Sequence, residues 1–371
     1  MAVQSFSTVP KATQLRIPGP TPLPDAVREA TGRQMINHRG PEFAQILAET
    51  VAAMRTLLQT THDILLMSCS GSGGMEAAVV NLCSPGDEVI AAHAGVFGER
   101  FAAIAEAYGL TVHHVTAPDG QALDPVRIAD AFVAHPRAKT LLITHNESST
   151  GVAHDLRAIA ATAHRHGALV VADCITSTAA LDVPVDEWGI DVVVSASQKA
   201  WMAPPGMAMV AVGPRAWQRT ATATLPRFYF DFAKHRDAQA KGQTPSTPAL
   251  PTLTGLHRAL QLLAAEGLPA IIARHRAAAE ACRADIGDLA EHGLRLFADP
   301  AHASDTVTAV ALPDGMDAAH LLARLENEHG VILAGGLGRQ AGTIIRIGHL
   351  GYVTAADMDA VGAALRAVVG T

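Results

Sequence analysis

The stretch DVVVSASQKAWMAPPG, residues 191–206, brings an amine next to a run of apolar residues. Lys199 comes five positions after Val194, the end of that run, and it is one of only five lysines among the 28 basic residues of the chain. An ammonium group beside a buried strand end is costly unless it is paired or is not kept as an ammonium. The setting therefore indicates a role for Lys199 beyond that of a solvated surface charge.

A carboxylate stands at a similar place in the preceding apolar run. Asp173 ends the stretch ALVVAD, and Lys199 follows 26 positions later (199 − 173). The ends of neighbouring parallel strands lie roughly 5 Å apart, so both side chains could face one ligand. A carboxylate at a strand end usually caps a helix or pairs with an arginine. The functional alternative is that Asp173 holds a proton on the ring nitrogen of a cofactor.

The stretch SGSGGME, residues 70–76, places small residues between a predicted strand and a predicted helix. Free backbone N–H groups, the positive end of a helix dipole and the hydroxyls of Ser70 and Ser72 together suit a phosphate. It is neither a Walker loop, since no Gly-Lys-Ser/Thr follows, nor a clean dinucleotide fingerprint. A glycine-rich tight turn before a helix is the structural alternative.

One cofactor needs these three features together. Pyridoxal phosphate carries a phosphate, an aldehyde that condenses with a lysine, and a pyridine nitrogen that must be protonated beside a carboxylate. Lys199 would then be stored as an imine rather than as an unpaired ammonium. Phe97, in GVFGER after another strand, could stack on the cofactor ring, although an ordinary core aromatic would fit the same pattern.

The elements that must position these residues follow a β-α-β rhythm. Helical patterns over 74–83, 97–108, 125–134 and 155–166 alternate with apolar runs, which predicts a mostly parallel sheet covered by helices on both faces. Functional loops of such sheets gather beyond the carboxyl ends of the strands, where all the residues above fall. The seven predicted strands are residues 63–69, 87–92, 110–115, 139–145, 168–173, 191–196 and 207–212.

The rest of the chain predicts a second, smaller domain. The rhythm breaks at about 214–252, and a long helical stretch over 253–290 follows. The C-terminal part alternates again with the strand candidates DTVTAVAL, GVILAGG and TIIRIG, which favours an α+β domain. We therefore expect an N-terminal arm over residues 1–25, a large domain over 26–258 and a small domain over 259–371.

Composition excludes several classes of function. A net charge of −7 without a run of basic residues argues against nucleic-acid binding. The four cysteines and 18 histidines show neither disulfide nor metal-ligand spacing, so no metal is expected. No apolar run reaches the roughly 18 residues that span a bilayer, and no signal segment opens the chain. These features predict a soluble, cytoplasmic protein that does not bind membranes.

Several motifs, in a fixed order, resemble one family over nearly the whole chain. They are PGPTPLPDAV, NHRGPEF, THNESSTGV, SQKAWMAPPG and GGLGRQAGTIIRIGHLG, spread over more than 300 residues. This set is similar to class V aminotransferases of pyridoxal-phosphate fold type I, and most similar to the alanine–glyoxylate and serine–glyoxylate (serine–pyruvate) branch. The resemblance implies a large domain with a mostly parallel seven-stranded sheet and a smaller C-terminal α+β domain.

The resemblance also implies roles for the cofactor-binding residues. Lys199 matches the lysine that forms the Schiff base and moves the proton between substrate and cofactor. Asp173 matches the partner of the pyridinium nitrogen, and Phe97 takes the ring-stacking position. The phosphate loop corresponds to residues 70–72 (Ser70, Gly71 and Ser72), with a further phosphate contact at Gln198. Ser148 matches a serine close to the ring.

Two further positions concern the substrate and the assembly. Arg346, in IIRIG, matches the arginine that clamps the substrate α-carboxylate, for which a guanidinium fork is suited; a structural ion pair is the alternative. Thr247 resembles a threonine that reaches the phosphate of the neighbouring subunit, which implies a homodimer with active sites at its interface. For His38, Asn146 and Trp201, which lie beside motif positions, no role is assigned.

The implied activity is the transfer of an amino group from a small amino acid (alanine, serine or aspartate) to a 2-oxo acid such as glyoxylate or pyruvate, in a ping-pong cycle. A cysteine desulfurase is disfavoured, because that group carries histidines where Gln198 and Phe97 stand and a mobile-loop cysteine, whereas no cysteine follows Cys282. An amino-acid lyase or hydrolase stays open. A scaffold without catalysis would not explain Lys199, Asp173 and Arg346 together.

Overall fold

The computed structural model describes residues 13–370, so residues 1–12 of the predicted N-terminal arm lie outside the described part. The α-helices are Asp25–Thr31 (α1), Pro41–Leu57 (α2), Gly71–Leu82 (α3), Val96–Ala107 (α4), Pro125–Ala134 (α5), Leu156–Arg165 (α6), Val185–Trp188 (α7), Pro214–Thr220 (α8), Phe232–Gln239 (α9), Leu250–Glu266 (α10), Leu268–Asp288 (α11), Ala318–His329 (α12) and Ala355–Val369 (α13). Among these residues, no helix combines the length and the apolar character needed to cross a bilayer.

The strands fall into a large sheet, a small C-terminal sheet and two short pairs. They are Gln14–Leu15 (β1), Asp63–Met67 (β2), Glu88–His93 (β3), Thr111–Thr116 (β4), Thr140–Thr144 (β5), Asn146–Glu147 (β6), Val152–Ala153 (β7), Leu169–Asp173 (β8), Val192–Ala196 (β9), Ala208–Val212 (β10), Arg295–Leu296 (β11), Val307–Ala311 (β12), Val331–Ile332 (β13), Ala334–Gly335 (β14) and Ile344–Gly348 (β15).

The large sheet has seven strands in the order β2-β10-β9-β8-β5-β3-β4, and all seven correspond to predicted strands. β3, β4, β5, β8 and β9 pair in parallel, whereas β10 runs antiparallel to both β9 and β2. Because β8 and β9 are neighbours, the sequence positions that follow them come together at one edge, as the spacing of Asp173 and Lys199 predicts.

Both faces of this sheet are buried by helices. Along β2, Ile64 and Leu66 belong to one apolar core, and Leu65 and Met67 belong to the core on the opposite face. This alternation follows from the two-residue period of a strand, and it explains why the strand reads as a continuous apolar run. The sheet is therefore the central layer of three, and its strand ends are fixed from both sides.

The predicted long helix over 253–290 was wrong in one respect, because the structure divides it into α10 and α11. Gly267 separates the two helices with a φ of 83°, a conformation that glycine adopts without steric cost. Pro269 lies in the first turn of α11, where a missing N–H group is tolerated. α10 packs into the core of the large sheet, whereas Ala278, Cys282 and Ile286 of α11 belong to the core of the C-terminal part.

The C-terminal part has its own sheet, in the order β11-β12-β15-β14, and its own apolar core, which extends from Ala278 to Val368. The predicted strand GVILAGG forms two short strands instead, β13 and β14. β13 pairs in parallel with β1, so the N-terminal segment of the described chain lies against this part. The domain boundary at 258/259 stays a prediction.

Candidate active site

A cavity of about 210 Å³ lies at the carboxyl ends of the large sheet. Asn146, for which the sequence assigned no role, also lines it. Helix α3, helix α4, the loops after β5 and β8, and the segment after β9 all contribute to its wall. Eight of the predicted site residues line this cavity: Ser70, Gly71, Ser72, Phe97, Ser148, Asp173, Gln198 and Lys199.

Lys199 follows β9, and its side chain is held by the N-terminal segment. Its Nζ donates a hydrogen bond to the carbonyl oxygen of Pro18, and Thr21 Oγ1 donates to the Lys199 carbonyl at 3.0 Å. Burial lowers the pKa of Lys199 to about 8; the charge of Asp173 opposes the change, and Arg346 and Arg100 add to it. A larger share of neutral amine, the nucleophilic form, is therefore present near neutral pH.

Asp173 ends β8 and is buried in the floor of the cavity. Its Oδ1 accepts a hydrogen bond from the Ile175 N–H at 2.9 Å, and its Oδ2 accepts one from Thr144 Oγ1 at 3.2 Å. Burial raises the pKa of Asp173 to about 6, and the hydrogen bonds and the charge of Lys199 offset only part of that rise. A cationic group placed against this carboxylate would be strongly favoured, because the carboxylate has lost most of its contact with water.

The predicted phosphate loop is the N-terminus of α3. Ser70 is the N-cap, and its Oγ accepts a hydrogen bond from the Gly73 N–H at 3.4 Å. Gly71 packs directly against the side chain of Ile175, and a Cβ at this position would overlap it. Glycine therefore lets the helix start close to the end of β8, with its first N–H groups and the Ser72 hydroxyl at the cavity wall.

Helix α4, which carries Phe97, is anchored by a buried carboxylate that the sequence analysis missed. Glu147 is 0% exposed and accepts hydrogen bonds from the N–H groups of Phe97 at 3.1 Å and Gly98 at 3.0 Å. Ser149 Oγ donates to the same carboxylate at 2.6 Å and accepts from the Val96 N–H at 3.0 Å. The N-terminus of α4 is thus already occupied by an anion of the protein itself.

Arg346 lies on β15 next to the cavity and is only 7% exposed. Its Nε donates to the Gly335 carbonyl at 2.8 Å, and its Nη1 donates to the Ser148 carbonyl at 3.1 Å. Burial lowers the pKa of the guanidinium, and the charge of Glu147 opposes this effect. Within residues 13–370 no carboxylate forms an ion pair with Arg346, so the alternative of a structural ion pair finds no partner there.

Two amide side chains in the cavity wall have unsatisfied acceptors. Thr176 Oγ1 donates to the Asn146 carbonyl at 2.8 Å, so it must accept the hydrogen bond from Asn146 Nδ2 at 2.7 Å. This fixes the orientation of the amide, and its buried Oδ1 has no partner among the residues that the structure describes. The buried Oε1 of Gln198 has none among them either. Orphaned polar atoms of this kind indicate a wall that is completed by a bound molecule.

Three other positions named by the sequence lie elsewhere. Trp201 is fully buried in the core below the sheet edge, where its Nε1 donates to Ser195 Oγ at 2.6 Å, so it does not line the cavity. Thr247 Oγ1 is 3.5 Å from His38 Nε2 in an exposed part of the chain, outside the cavity wall. None of the three positions lines the cavity within one chain.

The residues of the cavity fit pyridoxal phosphate. The open N-terminus of α3 suits its phosphate, the buried carboxylate of Asp173 suits a protonated ring nitrogen, and the amine of Lys199 suits its aldehyde. The orphaned acceptors of Asn146 and Gln198 leave room for a polar ligand. Fold and site together define an enzyme of the pyridoxal-phosphate-dependent fold type I.

Comparison with known proteins gives the family. The family model described as Aminotransferase class-V matches residues 25–361, and the chain belongs to this family. It is therefore a pyridoxal-phosphate-dependent aminotransferase, as the sequence motifs predict.

Individual relatives cover almost the same length. The chain is 36% identical to the L-aspartate–glyoxylate aminotransferase of Paracoccus denitrificans, over 91% of this chain and 86% of the relative. It is 43% identical to a protein of Synechococcus sp. named soluble hydrogenase, small subunit, over 96% and 92%. The crystal structure of the alanine–glyoxylate aminotransferase of Nostoc sp. superimposes with a TM-score of 0.92 at 28% identity, covering 99% of this chain and 98% of that one.

Proposed function

We propose that the enzyme moves the amino group of a small amino acid (alanine, serine or aspartate) to a small 2-oxo acid such as glyoxylate or pyruvate. One observation carries the proposal: the buried guanidinium of Arg346 lies beside the cavity of Lys199 and has no carboxylate partner within residues 13–370. All of these amino acids and 2-oxo acids carry a carboxylate next to the reacting carbon. A guanidinium fork binds a carboxylate with two parallel hydrogen bonds. The names of the aspartate–glyoxylate and alanine–glyoxylate relatives support the substrate class.

The cofactor would be held at three points. In this proposal Lys199 would hold the cofactor through its aldehyde, and Asp173 would pair with the protonated ring nitrogen. The start of α3 at residues 70–72 would hold the phosphate, with Gln198 as a further donor. Phe97 would stack on the ring, and Ser148 would contact it.

Bound pyridoxal phosphate supplies an electron sink for the charge that develops at the substrate α-carbon. The protein residues do the rest. Arg346 orients the α-carboxylate, so that the α-hydrogen is presented to Lys199. Lys199, with its lowered pKa, accepts that proton on its neutral amine. It would then deliver the proton to the cofactor. Asp173 stays ionised beside the ring, because the positive charge next to it opposes the effect of burial.

A substrate panel tests the proposal. We expect the purified protein to be yellow, and borohydride reduction to fix the cofactor on Lys199, detectable by peptide mass spectrometry. Oxo-acid formation is then measured for alanine, serine and aspartate with glyoxylate or pyruvate as acceptor. Parallel lines in double-reciprocal plots would show that the first product leaves before the acceptor binds. A protein that binds the cofactor but converts no amino acid would rule out the proposed activity.

A matched pair of variants gives this test its control. Lys199→Ala should abolish transamination and the reducible adduct, because no other amine lines the cavity as the structure describes it. Lys139→Ala removes an exposed amine that donates to the His166 carbonyl at 3.4 Å and does not line the cavity, and it should behave as wild type. Equal loss in both variants would point to damage unrelated to the cavity.

We also propose a homodimer in which Thr247 completes the phosphate site of the partner. Support comes from the exposed position of Thr247 beside His38 and from exposed apolar side chains nearby in the sequence, with Phe228 83% exposed. Light scattering gives the mass in solution. If the sites are shared, mixed subunits of Lys199→Ala and Thr247→Ala contain one intact site and regain activity, whereas sites confined to one chain would regain none.

The properties of the thiols argue against the desulfurase alternative. A desulfurase needs a reactive thiolate, but burial raises the pKa of Cys69 to about 11 and of Cys83 and Cys282 to about 12, and raises that of Cys174 as well. All four are free thiols, which is typical of a reducing compartment, and this supports the proposal of a cytoplasmic location. Fractionation with a cytoplasmic marker enzyme would test it.

A further inference from the structure

Arg100 lies in the cavity wall, although the sequence analysis assigned it no role. It is one helical turn after Phe97 on α4, so both side chains share one face of the helix. Its guanidinium carbon is 4.9 Å from the centroid of the Phe97 ring, and its Nη1 donates to Ser72 Oγ at 3.2 Å. Arg100 thus lies between the predicted ring-stacking residue and the start of α3.

The position of Arg100 is set by the anchored start of its helix. Glu147 accepts the N–H groups of Phe97 and Gly98, so the first turn of α4 is fixed against a buried carboxylate. The same contact removes the N-terminus of α4 as a place for a ligand anion. Of the two helix starts at the cavity, that of α3 is capped by the neutral hydroxyl of Ser70 and, within residues 13–370, by no carboxylate; Arg100 lies beside it.

A phosphate ester at this helix start would need more positive charge than the helix itself supplies. A phosphate monoester carries about −1.5 to −2 charges at neutral pH, whereas a helix N-terminus supplies only about +0.5. Lys199 and Arg100 are the cationic residues in the cavity wall, and Lys199 is committed to the aldehyde in the proposed function. Within residues 13–370 no carboxylate forms an ion pair with Arg100, whose polar contact is the neutral hydroxyl of Ser72.

We infer that Arg100 binds the phosphate ester of the cofactor, next to residues 70–72. Ser72 holds the guanidinium beside the helix start, and Phe97 supports its flat face. A guanidinium offers paired N–H donors that match phosphate oxygens. This inference rests on the proposed placement of the cofactor, and it adds the positive charge that the serine and glycine loop lacks.

Two cofactor forms separate this role from the alternatives. Apoenzyme is titrated with pyridoxal phosphate and with pyridoxal, which has the same ring and aldehyde but no phosphate, and binding is followed by absorbance. For Arg100→Gln we expect the Kd of pyridoxal phosphate to rise about 10- to 100-fold, the size of one charge-assisted hydrogen-bond pair, while the Kd of pyridoxal changes less than about threefold. Arg100→Lys should fall between wild type and Arg100→Gln.

The control is Arg258→Gln, the same chemical change at an arginine whose Nη1 donates to Gln261 on α10, away from the cavity. It should leave both Kd values unchanged. Circular dichroism and thermal unfolding of each apoenzyme establish that the variants fold equally.

Three outcomes would overturn the inference. Equal weakening of both cofactor forms would mean that Arg100 acts through the Phe97 ring. Unchanged Kd values with a selective loss of kcat/KM for aspartate over alanine would assign Arg100 to a substrate side-chain carboxylate. Unchanged behaviour throughout would leave it without a role in binding. Because wild type must first bind the cofactor and transaminate, failure of the proposed function would be recognised separately.

Discussion

The amine of Lys199 donates a hydrogen bond to the backbone carbonyl of Pro18, a residue 181 positions earlier in the chain. This contact, together with burial, isolates the amine from water and accompanies the lowering of its pKa to about 8. The carbonyl is a weak partner compared with a carboxylate, so it holds the amine without keeping it permanently charged. Lys199 is therefore prepared for a reaction that requires its neutral form.

The first prediction concerns the pH dependence of cofactor uptake. The neutral amine is the reactive form, so the rate at which apoenzyme takes up pyridoxal phosphate should rise with pH and level off above about 8, since the pKa of Lys199 lies near that value. Stopped-flow absorbance measures the rate. In Arg346→Gln the profile should move to higher pH, because a cation that lowers the pKa is removed. A midpoint above pH 10 in wild type would contradict the burial argument.

The second prediction concerns Asp173 in the apoenzyme. Its pKa is raised to about 6 from 3.8, so the native state holds this proton more tightly than the unfolded state between pH 4 and 6. The free energy of unfolding should fall by about 3 kcal/mol in total as the pH rises through that interval. It should keep the lower value above it. Asp173→Asn should therefore be more stable than wild type at pH 7 and equal to it below about pH 4, as urea unfolding would measure.

The same substitution should weaken cofactor binding, because a neutral amide cannot balance a protonated ring nitrogen. Asp182→Asn, which changes a carboxylate that accepts from Gln59 near the surface, is the control and should affect neither property. If Asp173→Asn bound the cofactor as tightly as wild type, the carboxylate would have no role at the ring.

The third prediction concerns Arg346. Replacing it by Gln should lower kcat/KM for every α-amino acid by the equivalent of about 2–5 kcal/mol, mainly through KM, since a buried charge-assisted clamp is lost. Cofactor affinity should stay near that of wild type. The matched substrate control is a primary amine without a carboxylate, whose slow reaction should be unaffected. A similar loss for the amine would show that Arg346 acts on the cofactor or the fold.

The fourth prediction concerns Glu147, a residue with a structural role behind the cavity. Glu147→Gln places an amide donor among the N–H groups of Phe97 and Gly98 and should destabilise the apoenzyme by about 1.5–3 kcal/mol in urea unfolding. Because α4 also carries Arg100, cofactor affinity should fall as well. Glu99→Gln, an exposed change in the same helical turn, should cost less than about 0.5 kcal/mol. Comparable losses in the two variants would argue against the buried cap.

The sequence predicted the parts of the fold that depend on local pattern. Strands buried on both faces read as continuous apolar runs, and all seven were found because that pattern needs no knowledge of distant contacts. Two details could have been predicted but were missed. Gly267 and Pro269 signal the break between α10 and α11. The connection over residues 197–207 is too short for a crossover helix, so β10 must run antiparallel to β9.

The site was predictable where residues directly follow strands. Asp173 and Lys199 were found because neighbouring strand ends converge. Arg100, Glu147 and the Pro18 carbonyl were missed, since each acts through a contact between segments that are far apart in the chain. A helical arginine or a glutamate after a strand carries no local signal, because its partner is decided only when the helices pack on the sheet.

The short N-terminal segment joins two groups to which the proposed function assigns the same substrate. The Gly348 N–H, two positions beyond Arg346, donates to the Arg16 carbonyl at 2.7 Å, and the Pro18 carbonyl accepts from Lys199. Arg16 is also tied to Asp357 by an ion pair of 2.5 Å. Three residues therefore form a tether between the strand of the carboxylate clamp and the reactive amine. The position of the Lys199 amine therefore depends on the C-terminal sheet as well as on the end of β9.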